Sequence, residues 1–322
     1  MSERIPLLID TDPGVDDALA LLMAFASPAH EVVGLTVAAG NVGLVHTVRN
    51  ALKLCEVAQA DVPVFAGAAA PLLHPAQDAA FVHGADGFGD TGYAEPVRSA
   101  EAEHAALALL RLSHVHAGRL LLVALAPMTN LALALKLDPT LPQRIDRLVV
   151  MGGAVTGHGN LTPAAEFNIA FDPEAAHLVF SAFPRVELVD WEVVVRQAMA
   201  HDALDAWLRA DTPQARFYDA ISRATRSRAQ ERRGGRWAAA DPLAMAVALQ
   251  PDGVRERIER PLAVELAGTR TRGATVVDWR REGGGSDNAA ILLGYDQDLF
   301  EELLRGALAP PETGLRRVAM AG

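Results

Sequence analysis

Short apolar runs recur along this chain, and each is followed by a stretch in which apolar residues return at the spacing of a helix face. Residues 5–9 (IPLLI), 31–39 (EVVGLTVAA), 62–65, 120–126 (LLLVALA), 146–151 (DRLVVM) and 186–190 read as strands. Their apolar residues occupy consecutive positions, as in strands buried on both faces. Residues 18–26, 44–60, 100–117, 131–137 and 173–180 read as helices between them. That alternation predicts an α/β fold: a mostly parallel, doubly wound sheet with helices on both faces. Residues 67–99 carry no period, only Pro, Gly, His and Asp punctuation, and loops of that length usually serve as lids or binding loops.

Past residue 200 the pattern changes. Residues 201–236 read as one polar helix with seven arginines between Arg216 and Arg236, mainly a solvated face, with a mobile lid as the second reading. Asp241-Pro242 opens a helix over 241–250 as N-cap and N1 proline. The strand-like segments 261–266, 273–279 and 288–293 predict a small peripheral sheet, and a helix over 298–308 closes the fold. With no internal repeat and no linker, residues 1–322 read as a single domain whose tail, 309–322, is exposed.

Composition narrows the function. At 50% hydrophobic and 21% charged residues the chain has ample material for a core. A net charge of −11 without a basic run excludes nucleic acid as a main partner, since phosphate neutralisation needs clustered Lys and Arg. Cys55 stands alone, so no intrachain disulfide forms and a reducing compartment is expected. Met1-Ser2-Glu3-Arg4 leads straight into the first strand, with neither a signal-peptide pattern nor a membrane-length apolar run. The expectation is a cytoplasmic protein without a membrane partner.

The candidate chemistry begins in Asp10-Thr11-Asp12-Pro13-Gly14-Val15-Asp16-Asp17, where four carboxylates follow the first strand directly. Two carboxylates about 4 Å apart repel by roughly 4 kcal/mol at an effective dielectric near 20. Helix capping and turn chemistry account for one or two acids, seldom four. With no Lys or Arg in the stretch, the cluster needs protons or a cation, and oxygen-only donors select a hard ion such as Ca²⁺ or Mg²⁺. Further polar groups sit where other strands end: Asn41, Met128-Thr129-Asn130, Asn160 and Glu166-Phe167-Asn168 in the loop after Met151, and Asp190. In a doubly wound sheet those ends share one edge, so they converge. Carboxamides and carboxylates without lysine suit a neutral polyhydroxyl ligand such as a sugar, and suit a phosphate poorly.

Taken in order, DTDPGVDDALA, Ala39-Gly40-Asn41-Val42, Ala126-Pro127-Met128-Thr129-Asn130-Leu131-Ala132, Val150-Met151-Gly152-Gly153, Ala165-Glu166-Phe167-Asn168 and Asp241-Pro242-Leu243-Ala244 resemble the signature set of the nucleoside hydrolases. These are the inosine-uridine-preferring N-ribohydrolases and their relatives. The resemblance implies hydrolysis of the N-glycosidic bond of ribonucleosides to ribose and free base. It implies one Ca²⁺ held by Asp12, Asp17, Asp241 and the main-chain carbonyl of Leu125, with Asp10 in support. Asp12 would also act as general base towards the calcium-bound water. Asp16 and Asn168 would hold the ribose hydroxyls, Asn160 and Glu166 would reach the 5′ side, and Asn41 would lie near the attacked face. A homodimer or homotetramer is expected by the same analogy. The physics agrees: an anionic floor stabilises an oxocarbenium-like sugar.

The leaving-base half departs from the pattern. Many relatives place a histidine immediately before the last calcium aspartate, where this chain has Ala240. His83 matches a second histidine often found in the pocket. Stacking on Trp237 or Tyr218, or approach of Arg232, Arg233 or Arg236, are the other routes considered for the departing base. A nucleoside- or ribose-binding protein with weak or lost catalysis is therefore the alternative reading. An aspartate-nucleophile phosphatase is disfavoured by Pro13-Gly14 after Asp12 and by only two lysines, Lys53 and Lys136. A dinucleotide site is unsupported, because no GxGxxG follows the first strand.

Overall fold

A computed structural model describes residues 3–232 and 236–309. Eight strands form one sheet in the order β3-β2-β1-β4-β5-β6-β12-β9. They are β1 (Ile5–Thr11), β2 (His30–Val37), β3 (Val64–Ala66), β4 (Leu120–Ala124), β5 (Ile145–Met151), β6 (Val186–Val189), β9 (Val254–Arg260) and β12 (Ala289–Tyr295). All neighbours run parallel except β12 and β9, which are antiparallel.

The consecutive apolar residues of the strands are explained by burial on both sides. Leu7, Ile9, Leu121, Val123 and Val149 enter one core, under α1 (Val15–Ala26), α2 (Leu44–Ala58), α10 (Pro213–Arg232), α11 (Ala240–Leu249) and α12 (Gln297–Leu308). Leu8, Leu120, Leu122, Leu148 and Val150 enter the other, under α4 (Ala105–Val115), α5 (Thr129–Leu137) and α7 (Pro173–Ala182). Alternate side chains of a strand point to opposite faces, so a sheet covered twice demands apolar residues throughout. Three further helices, α3 (Ala80–His83), α6 (Phe167–Phe171) and α8 (Trp191–Arg196), punctuate the loops. Among the described residues no helix is long and apolar enough to cross a membrane.

Three expectations are corrected. The segment 288–293 does not join a peripheral sheet: it is β12 of the main sheet, flanked by the unforeseen β9. The small sheet consists of β10 (Leu262–Val264) and β11 (Thr275–Val277). The polar segment 201–236 is not one helix. It splits into α9 (His201–Trp207) and α10 because Pro213 starts a new helix, with Thr212 Oγ1 accepting from the Ala215 N–H at 3.0 Å. A short antiparallel pair, β7 (Met199–Ala200) with β8 (Arg236–Trp237), brackets those two helices. Finally, α11 begins at Ala240, so Asp241 lies inside the first turn instead of capping it.

Strand order places β1 between β2 and β4, the switch point at which doubly wound sheets form a crevice. The Asp12–Asp17 turn leaves the carboxyl end of β1 and Leu125 leaves that of β4, so both loops open onto it.

Candidate active site

A cavity of about 420 Å³ lies over that edge. Val15, Asp16, Asn41, Leu125 and Asp241 contribute to one part of its lining, and Asn160, Glu166, Phe167 and Asn168 to another. Asp12 and Asp17 are buried beside them.

The turn after β1 is folded around Asp17. Its Oδ1 accepts from Thr11 Oγ1 at 2.6 Å, and its Oδ2 from the Gly14 N–H at 3.0 Å and Asn41 Nδ2 at 2.9 Å. Asn41 also donates its backbone N–H to Asp12 Oδ2 at 2.7 Å. Asp10 accepts from Thr36 Oγ1 at 2.7 Å and Asn130 Nδ2 at 2.9 Å, which ties β1 to β2 and α5. Asp16, Asp17 and Asp241 each bring an oxygen within 4.8 Å of the others, the one such group among the described residues. Asp17 and Asp241 thus meet although 224 positions separate them in the numbering.

These acids strain against one another. Burial, then the neighbouring Asp17, raises the Asp12 carboxyl well above its ordinary range, and burial followed by Asp16 and Asp17 does the same to Asp241. Burial pushes Asp10 up to about 7, and Asp16 and Asp17 up to about 6. Among the described residues, Asp10 Oδ2, Asp12 Oδ1 and Asp16 Oδ1 are buried without a hydrogen-bond partner. Orphaned anionic oxygens in a dry cluster are what a hard divalent cation neutralises, so this donor set fits one.

The loop after β5 is held by acids of its own. Glu166 caps α6, accepting from the Asn168 N–H at 2.9 Å, and its other oxygen accepts from the Gly153 N–H at 2.9 Å. Burial pushes its carboxyl up to about 7. Asn168 Nδ2 donates to the Leu125 carbonyl at 2.6 Å, and Asn160 Oδ1 accepts from the Phe167 N–H at 2.8 Å. Thr129, Asn130 and Asp190 lie outside the lining. Thr129 bonds Asp172, Asn130 bonds Asp10, and Asp190 accepts from the Val155 and Val193 N–H groups.

The chain matches the family model for inosine-uridine preferring nucleoside hydrolase over residues 7–302. The chain belongs to the inosine-uridine preferring nucleoside hydrolase family. It is similar to the non-specific ribonucleoside hydrolase RihC of Klebsiella pneumoniae (strain 342), with 39% identity over 92% of this chain and 96% of that one. Among solved structures it resembles the plant nucleoside hydrolase PpNRh1 at TM-score 0.90 and 30% identity, covering 96% of this chain and all of that one. An inosine-guanosine nucleoside hydrolase follows at TM-score 0.87 and 32% identity, covering 94% of this chain and 98% of the other. The chain is thus an enzyme, a nucleoside hydrolase.

The leaving-base part of this nucleoside hydrolase is built differently from its acidic floor. His83 lines the cavity; its Nδ1 accepts from the Val15 N–H at 3.1 Å and lies 3.9 Å from Asp16 Oδ1. Burial lowers its ring to about 4, so it is neutral at pH 7. Trp237 and Ala240 also line the cavity, whereas Tyr218 is fully buried in the core and contributes nothing to the lining. Arg236 donates to the Ala198 carbonyl, away from the cavity, and Arg233 and the side chain of Arg232 lie outside the described residues. Phe81, Val82, Thr225 and Arg228 line the cavity without having been singled out in the sequence. Thr225 and Arg228 share a helix face at i, i+3, a spacing hidden within the arginine-rich run.

Proposed function

We propose that this chain cleaves ribonucleosides by attack of water at the anomeric carbon, with a Ca²⁺ ion in the acidic cluster and Asp12 as general base. The observation that carries the reading is the convergence of Asp16, Asp17 and Asp241 at the floor of a cavity large enough for a nucleoside. Asp12, Asp17, Asp241 and the Leu125 carbonyl would hold the ion, all oxygen donors as such a cation requires. When bound, the ion supplies charge neutralisation for the acids and makes water a better nucleophile at neutral pH.

Asp12 suits the base role because its two oxygens differ. The Asn41 N–H holds Oδ2, while Oδ1 is unpartnered and free to accept the proton of the attacking water. As the new C–O bond forms, the C1′–N bond breaks and its electron pair moves to the base nitrogen. Because C1′–N cleavage runs ahead of C–O bond formation, positive charge builds on the sugar ring in the transition state, where Asp16 and its neighbours stabilise it electrostatically. Asp16 and Asn168 would hold the ribose hydroxyls, with Asn41 near the attacked face and Asn160 and Glu166 towards the 5′ side.

The test is direct. Protein loaded with Ca²⁺ is mixed separately with inosine, uridine, cytidine and adenosine, and ribose is followed as reducing sugar. Ribose release that stops with EDTA and returns with Ca²⁺ is expected. Tight nucleoside binding without ribose would instead support the binding-protein reading that Ala240 raises.

A further inference from the structure

The lining supplied by α3 and α10 brings no member of the acidic cluster and has its own character. α3 brings Phe81, Val82 and His83, and α10 brings Thr225, Arg228 and Ala229. Ala79, Ala238 and Ala240 add apolar surface elsewhere in the same lining. Arg228 is the one lysine or arginine among the described residues of the lining. Other arginines of α10 are spent on ion pairs, Arg216 with Asp211, Arg223 with Asp219, and Arg226 with Asp205 and Asp219. Among the described residues Arg228 pairs with no such carboxylate. Its Nη1 donates to the Phe81 carbonyl at 2.8 Å and the Val82 carbonyl at 3.3 Å, which anchors the guanidinium to α3. Among the described residues Nη2 and Nε have no hydrogen-bond partner, so their N–H groups can serve a ligand. Thr225, the other polar side chain that α10 brings, is committed to the Val82 carbonyl at 3.0 Å.

With Thr225 committed to Val82 and His83 Nδ1 to the Val15 N–H, Arg228 is the charged donor of this wall. A few placed polar groups in a pocket fix orientation and set specificity. A guanidinium offers donors only, so it pairs with a carbonyl oxygen and is mismatched against an amino group. Resting on the nucleoside reading above, we propose that Arg228 selects nucleobases bearing a carbonyl oxygen remote from the glycosidic bond, namely hypoxanthine, guanine and uracil, and stabilises the charge reaching that oxygen as the base departs. The electron pair of the broken C1′–N bond passes to the base nitrogen and is delocalised onto that oxygen. The attacking water has given its proton to Asp12, and the base anion takes one from solvent after leaving. No side chain is then required at position 240 to protonate the leaving group.

The experiment compares kcat/KM for two matched pairs, inosine with adenosine and uridine with cytidine, in the Ca²⁺-loaded enzyme and in Arg228→Met. The wild type is expected to favour the oxo member of each pair tenfold or more, and Arg228→Met to reduce both ratios at least tenfold. Thr225→Val removes the other tie to α3, so it should lower all four substrates together and leave the ratios standing. Wild-type ratios near one, an equal loss on all four substrates in Arg228→Met, or a collapse of the ratios in Thr225→Val would each overturn the assignment. A p-nitrophenyl riboside, whose leaving group needs no such help, separates this inference from the one beneath it. If that riboside is cleaved while the nucleoside ratios stay near one, only the role of Arg228 fails. If neither it nor any nucleoside is cleaved, the hydrolase reading fails and this inference with it.

Discussion

A Cβ on Gly40 would stand 2.1 Å from Asp12 Oδ2 and 2.9 Å from Cδ of Pro127, so a bare backbone is what lets the loop after β2 close on the first acid turn. Gly40→Ala must therefore push the Asp12 carboxylate aside. Misplacement of a reacting group by about 1 Å costs on the order of 100-fold in rate, and that loss in kcat is expected with the far-UV circular dichroism unchanged. Asp12→Asn keeps the shape and removes the base. General-base catalysis contributes about 10² to 10⁴-fold, so ribose release should fall by about that factor or more. Near-normal turnover in Asp12→Asn would end the base assignment. At this scale the acids and carboxamides were legible in the sequence because their types are unusual for a buried loop. Their division of labour was not: Asn41 lies 29 residues from Asp12 yet is its hydrogen-bond donor, and Asp16 joins Asp17 and Asp241 more closely than its place in the motif suggests.

Among the elements, α8 does work that no apolar pattern announces. Asp190 caps it and also accepts from the Val155 N–H, while Glu192 accepts from the Thr156 N–H, Thr156 Oγ1 and the His158 N–H. Two acids at one helix start thus fasten the loop that carries Asn160. Glu192→Ala leaves those donors unpartnered and frees the loop. A several-fold rise in the nucleoside KM is expected with kcat changed far less, and steady-state kinetics will read the split. An unchanged KM would mean the loop holds its shape without Glu192. The sheet strands were readable because burial on two faces writes consecutive apolar residues. The strand β9, VRERIER, was not, because a sheet-edge strand can carry charges that a central one cannot. The break between α9 and α10 hung on Thr212-Pro213, a local signal inside an otherwise even polar run.

For the molecule as a whole, the acidic floor is a thermodynamic burden until something neutralises it. Burial holds Asp10 and Glu166 near 7 and Asp16 and Asp17 near 6, against ordinary values of 3.8 for Asp and 4.5 for Glu. Each unit of such a shift is worth about 1.4 kcal/mol. Between about pH 4 and pH 7 the native, metal-free protein therefore binds protons that the unfolded chain has already lost. Stability falls as pH rises wherever the native state binds more protons. The metal-free enzyme should accordingly melt at a higher temperature at pH 6 than at pH 8. A divalent cation stabilises the native state by mass action and competes with those protons for the same oxygens. Added Ca²⁺ should thus raise the melting temperature more at pH 8 than at pH 6, narrowing or reversing the difference between them. Scanning calorimetry of EDTA-treated protein at both pH values, with and without Ca²⁺, measures all four corners. A metal-free melting point that rises from pH 6 to pH 8 would contradict the burial of charge inferred for the floor. A Ca²⁺ response equal at both values would separate the ion from those carboxylates. The sequence held the acids of this balance but not its sign, which depends on how completely the sheet edge, α1 and α11 exclude water from residues far apart in the chain.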